Sequence, residues 1–209
     1  MIPVVGGAAV EFFNKLIPPP LEKRRNEWWQ SLHERIARLE ERGDVKAEDL
    51  SQNESFVSTV LQATQVAMRN HQEEKLRALR NAVVNSALPG APDASKQTMF
   101  LSLVDAFTPW HLAVLKFLAD PPTWFRQNEQ PVPQFVITSS VHTVLQRAFP
   151  DLVRDGEFVE LIAKDLHDRK LSRVGNIMLN MSADGALQKA TTDLGDQFLR
   201  FITDPVGGS

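Results

Sequence analysis

With 209 residues, 43% of them apolar and 23% charged, the chain has the size and composition of one large or two small globular domains with real cores. Its formal net charge of -3 supplies no general electrostatic pull towards nucleic acid or an anionic membrane. Cysteine is absent, which excludes disulfides, thiolate metal sites and cysteine nucleophiles and fits a reducing compartment.

The first 17 residues are rich in apolar side chains but lack the basic start of a signal peptide, and Glu11, Asn14 and Lys15 interrupt them. They fall short of the ~20 apolar residues that a membrane span needs. A cytoplasmic location is therefore expected, with membrane contact through residues 1–17 as a minor option. Residues 8–17 read as a short helix that Pro18-Pro19-Pro20 ends by forcing extended backbone. From Leu21 to Arg42, the recurrence of Leu21, Trp28, Leu32, Ile36 and Leu39 predicts a helix stopped by Gly43. Lys23-Arg24-Arg25 followed by Trp28-Trp29 admits two readings: an interfacial anion site, or a solvated turn beside core tryptophans. The first 88 residues hold 12 Lys+Arg against 12 Asp+Glu, and this balance favours the second reading.

Another helix is expected near Asp49 or Ser51, and Glu54–Leu88 reads as either one long helix or two that meet near His71-Gln72-Glu73-Glu74. Leu88-Pro89-Gly90-Ala91-Pro92-Asp93 reads as a linker. Lys96–Phe107 returns to helix. Thr108 and Pro109 then place a hydroxyl cap and a first-turn proline at the head of the next helix, which Asp120-Pro121-Pro122 closes. Residues 121–135 read as a loop with Trp124-Phe125 folded back onto the body. Ser139 or Ser140 caps a short helix. Glu157–Leu171 forms another, with Phe158, Leu161, Ile162 and Leu166 inward. Ile177–Met181 and Leu187–Thr191, either side of Asp184-Gly185, read as a two-stranded hairpin. Thr192 caps a closing helix that returns Leu194, Phe198, Leu199 and Ile202 to the core.

The expected fold is thus mainly α: a helical region over residues 1–107, with a linker at about 89–95, then a winged-helix-like domain over 108–209 carrying one small β-hairpin. The run Leu79-Arg80-Asn81-Ala82-Val83-Val84-Asn85-Ser86-Ala87-Leu88, then Phe100-Leu101-Ser102-Leu103-Val104-Asp105, then Thr108-Pro109-Trp110-His111-Leu112, resembles a group of uncharacterised bacterial proteins. More distantly it is similar to the Abi-alpha family linked to abortive infection. The resemblance implies a bacterial protein with a role in phage defence. It carries no catalytic residue across, because the shared positions are core and cap residues.

A winged helix suggests DNA, and charge tests that suggestion. Residues 134–209 hold 8 Lys+Arg against 10 Asp+Glu, and Glu160, Lys164, Asp165 and Asp168 occupy the outward positions of the helix that would enter the groove. The remaining cations that could touch phosphate are Arg169, Lys170, Arg173 and Lys189. His167-Asp168 with Asp165, and His33-Glu34, are the only metal candidates, and neither has ligand spacing. His111 and His142 lie in or beside apolar stripes and read as packing residues, and no serine sits in a nucleophile elbow. No cofactor is implied. The chain is expected to be a non-enzymatic interaction protein that binds a protein partner or itself, with Phe12, Phe13, Trp28 and Trp29 as its candidate contact surface. A DNA-binding winged-helix regulator is the alternative.

Overall fold

The computed structural model describes residues 18–182 and 184–205. The expected helix at 8–17, and with it Phe12 and Phe13, lies outside the described residues. The chain divides into two compact units, Met1–Ser102 with Asp204–Ser209, and Leu103–Thr203.

The first unit is helical. Helix α1 (Pro18–Glu41) takes up the three prolines in its first described turn instead of breaking at them. In a first turn the backbone N–H groups have no helical partner to lose, so proline costs little there. The helix ends at Gly43, whose φ of 76° lets its N–H reach Glu40 O at 2.9 Å while Asp44 N–H reaches Leu39 O at 2.9 Å. This paired arrangement satisfies two carbonyls that a helix end otherwise leaves open. After α2 (Ala47–Gln52), Asn53 caps α3 (Glu54–Arg69) by accepting from Phe56 N–H at 3.1 Å. The 54–88 stretch is two helices rather than one: Asn70, His71 and Gln72 separate α3 from α4 (Glu73–Ala87). Ala63 and Ala67 of α3, and Ala78 and Ala82 of α4, are buried, and their small side chains let the two helices pack closely. Three polar links pin α1 onto this pair. Trp28 Nε1 donates to Thr64 Oγ1 at 2.9 Å, Arg24 to Met68 O at 2.8 Å, and Arg35 to Asn81 Oδ1 at 2.8 Å.

Helix α5 (Ala94–Ala106) carries the chain from the first unit into the second. There α6 (Pro109–Ala119) is followed by α7 (Pro121–Gln127), where a loop was expected. Asp120 caps α7 by accepting from Thr123 N–H at 3.0 Å, so the Asp-Pro-Pro run starts a helix as well as ending one. Strand β1 (Thr138–Ser140) leads into α8 (Val141–Ala148), capped by Ser140, then the single turn α9 (Pro150–Val153), and α10 (Gly156–Asp168), capped by Asp155. Strand β2 (Asn180–Ser182) and the Thr192-capped α11 (Asp193–Ile202) complete the unit.

The expected hairpin does not form. The one sheet among the described residues pairs β1 with β2 antiparallel, Thr138 opposite Ser182 and Ser140 opposite Asn180. Asp184 and Gly185 do not adopt the positive φ that a tight two-residue hairpin demands, and Gly185–Leu187 forms a 3-10 turn. The donors beyond it are used elsewhere: Ala190 N–H bonds Leu118 O at 2.8 Å, and Thr191 meets Ser172 in an isolated bridge. Two smaller expectations also shift. Leu161 is 54% exposed because the inward stripe of α10 is Val159, Ile162, Ala163 and Leu166. In α11 the buried residues are Phe198, Phe201 and Ile202, with Leu194 and Leu199 only half-buried. Among the described residues no single helix is long and apolar enough to cross a membrane.

The placement of α11 depends on Gly195. A Cβ there would stand 2.1 Å from Leu171 O, a backbone atom that cannot step aside. Gly195→Ala is expected to cost about 3 kcal/mol or more in urea unfolding, the upper range for overpacking a tight contact. A loss under 1 kcal/mol would contradict so close an approach.

Candidate interaction surface

The second unit is held by a cluster around one histidine. Thr108, ahead of α6, keeps extended backbone, and its N–H donates to Nδ1 of His111 at 3.2 Å. Its Oγ1 lies 2.9 Å from the same nitrogen. Accepting from a backbone N–H requires a lone pair on Nδ1, so the neutral ring carries its proton on Nε2. Nε2 faces Asp165 of α10, 3.5 Å from Oδ2. The ring stacks on Phe107 at 4.7 Å and 4°, and Phe107 meets Phe198 of α11 edge-on at 6.2 Å. Arg169 places its guanidinium 5.5 Å from the Phe107 ring centroid. One imidazole therefore caps α6, faces α10 and lies against the ring that touches α11. It is 5% exposed, which suits a positioning residue.

A second aromatic group fixes α7 and the α8–α9 junction. Phe149 lies 4.8 Å from Trp124 and 5.6 Å from Phe117, and Phe125 lies 5.7 Å from Phe117. Trp124-Phe125 does fold back onto the body, on a helix instead of a loop.

This arrangement decides what α10 offers to solvent. Its exposed positions are Glu157, Glu160, Leu161, Lys164 and Asp168. Asp165 is turned towards His111 and is half-buried. Lys164 pairs with Asp168 one turn on. That hydrogen bond and charge hold the Asp168 carboxyl below its ordinary range and push the Lys164 ammonium above its own. The outer face of α10 is thus acidic, with an exposed leucine at its middle.

The four candidate phosphate contacts are differently employed. Arg169 lies over Phe107. Lys189 bonds the carboxylate of Asp196, which also accepts from Thr191 Oγ1 at 2.6 Å. Burial alone would raise the Asp196 pKa, but the Lys189 and Thr191 hydrogen bonds and the charges of Lys189 and Arg200 bring it below its ordinary value. Lys170 and Arg173 have exposed side chains. Lys170 takes the left-handed conformation just after α10, with φ of 60°. Leu171 N–H then reaches back to Leu166 O at 2.9 Å, and the helix closes without a glycine.

In the first unit, Trp28 is 3% exposed and bonded to Thr64, so it belongs to the core, whereas Trp29 is 43% exposed. Leu61 and Val57, one turn apart on α3, are 57% and 39% exposed. His167 is a packing residue: Nδ1 lies 3.2 Å from Ser172 O, and Gly175 lies so close that a Cβ would stand 2.8 Å from the ring. Among the described residues no group of three His, Asp or Glu is placed to hold a metal ion.

The most exposed large apolar side chains among the described residues are Val136 at 97% and Ile137 at 79%, immediately before β1. Periodicity does not single them out. The signal that does is the run from Gln130 to Gln146, 17 residues without a formal charge. Compared with family models, curated proteins and solved structures, the chain shows no match to any of them.

Replacing the ring removes a cap acceptor and a stacked aromatic together. His111→Ala is expected to cost about 2–3 kcal/mol in chemical unfolding, by adding ordinary cap and aromatic-pair contributions. A loss no larger than that of an exposed-site alanine would remove His111 from the centre of the unit.

Proposed function

We propose that this chain is a non-enzymatic interaction protein, and that its second unit is a winged-helix-like module turned from nucleic acid to protein contact. The order α6, β1, α8, α10, β2 supports the winged-helix reading, with α10 in the place of the groove-entering helix. The observation that carries the proposal is the outer face of α10. Glu157, Glu160 and Asp168 would stand against phosphates whose neutralisation normally supplies most of the binding energy, and Lys164 is already paired. An exposed leucine ringed by charge is instead the composition of a protein-contact centre with a polar rim. Trp29, with Val57 and Leu61, offers apolar surface in the first unit.

The alternative, a DNA-binding regulator, draws on the exposed Lys170 and Arg173 just past the end of α10. Two such cations release few counterions beside a carboxylate face. The resemblance to the Abi-alpha family extends the proposal to phage defence. That extension rests on the resemblance alone, and phage plating on cells with and without the gene tests it.

Leu161→Glu places a fourth carboxylate on the α10 face without touching the core. Tagged wild-type and L161E chains would be used to recover partners from extract of the source cells, with thermal unfolding as a folding control. The expected result is a protein retained by the wild type and at least about tenfold depleted with L161E. Equal recovery with both chains would contradict the use of this face.

A further inference from the structure

We propose that residues Phe135 to Thr138 form an intermolecular strand pair with a second copy of this chain, antiparallel and centred on Ile137. The proposal concerns a different surface from α10 and stands independently of the reading given to that helix. It starts from an edge. Among the described residues the sheet has two strands, so β1 pairs along one side only. Just before it, Val136 and Ile137 are 97% and 79% exposed, and their backbone groups have no hydrogen-bond partner among the described residues. An extended, unpaired segment of β-branched residues is a template for another strand.

Soluble proteins normally blunt such an edge with charge, and here there is none from Gln130 to Gln146. The lack of charge also favours a copy of the same chain over other partners. In a two-fold antiparallel pair centred on Ile137, that residue meets itself, Val136 meets Thr138, and Phe135 meets Ser139. No like charges are forced together, and the β-branched pairs Ile137–Ile137 and Val136–Thr138 are of the kind that stabilises sheets. The segment is also held at both ends. Phe135 is half-buried, lining a groove of about 510 Å³ with Phe125 and Arg147, and Ser140 caps α8 by accepting from Thr143 N–H at 3.2 Å. An edge held in this way loses less freedom when a second strand adds to it.

The test exploits the self-opposed position. Full-length wild type, Ile137→Lys and Ile137→Glu would be followed by light scattering through a dilution series, each variant checked for unchanged thermal unfolding. The wild type is expected to be a dimer. Each variant, with like charges opposed at the two-fold, is expected to dissociate at a concentration at least about tenfold higher. An equimolar mixture of I137K and I137E, which opposes opposite charges, is expected to restore the dimer. Amide hydrogen exchange at residues 136–138 should slow as wild-type concentration rises. A wild type that stays monomeric overturns the proposal, as does a dimer indifferent to both charges. Failure of the mixed sample to recover overturns the register centred on Ile137. None of these outcomes bears on the α10 face, which L161E tests separately.

Discussion

The second unit depends on the ring of His111. Its Nδ1 accepts from the backbone ahead of α6, its Nε2 faces Asp165 of α10, and its face lies on Phe107, which meets α11 and the Arg169 guanidinium. Three helices that share no local sequence are thereby referred to one planar group. Imidazole suits the task because its two nitrogens point in different directions and play opposite hydrogen-bonding roles in the neutral ring. An asparagine could supply the cap acceptor, but not the stacked face and the second contact together.

The functional argument follows from that constraint. Turning Asp165 and Arg169 of α10 towards the Phe107–His111 pair removes one carboxylate and one cation from the surface. Folding engages Lys189 as well, through Asp196, and Lys164 through Asp168. What remains outward on α10 is Glu157, Glu160 and an unpartnered Leu161. The first unit is built differently. Small alanines bring α3 and α4 together, and hydrogen bonds from Arg24, Trp28 and Arg35 fasten α1 across them. Trp28 is consumed in that fastening while its neighbour Trp29 is left at the surface.

Helix starts were legible wherever a side chain makes a local bond. Thr108-Pro109, Ser140 and Thr192 announced their helices because capping is decided within four residues, and Gly43 announced a stop for the same reason. The failures involve longer-range competition. Asp184-Gly185 looks like a hairpin turn, but Ser172 and Leu118 claim the backbone of residues 190–191, and β1, some 40 residues earlier, claims β2. Pro121-Pro122 looks like loop, yet Asp120 supplies the cap that makes prolines good starters. Leu161 reads as core by composition, and only the phase of Val159, Ile162 and Leu166 places it outside. The Val136–Ile137 edge was invisible to periodicity because neither of its faces is buried. The Phe107–His111–Asp165 cluster joins residues 54 positions apart, a juxtaposition that spacing alone does not reveal.

The account turns on whether the second unit has surrendered its cations to its own fold. The most direct measurement is a titration of the full-length chain against a labelled random DNA duplex at 20, 50 and 200 mM salt. With Arg169, Lys189 and Lys164 engaged and the α10 face acidic, the account predicts no saturable binding even at the lowest salt. Binding at 20 mM that falls steeply with salt, and vanishes when Arg169, Lys170 and Arg173 are changed together to glutamate, would contradict it and establish the nucleic-acid reading instead.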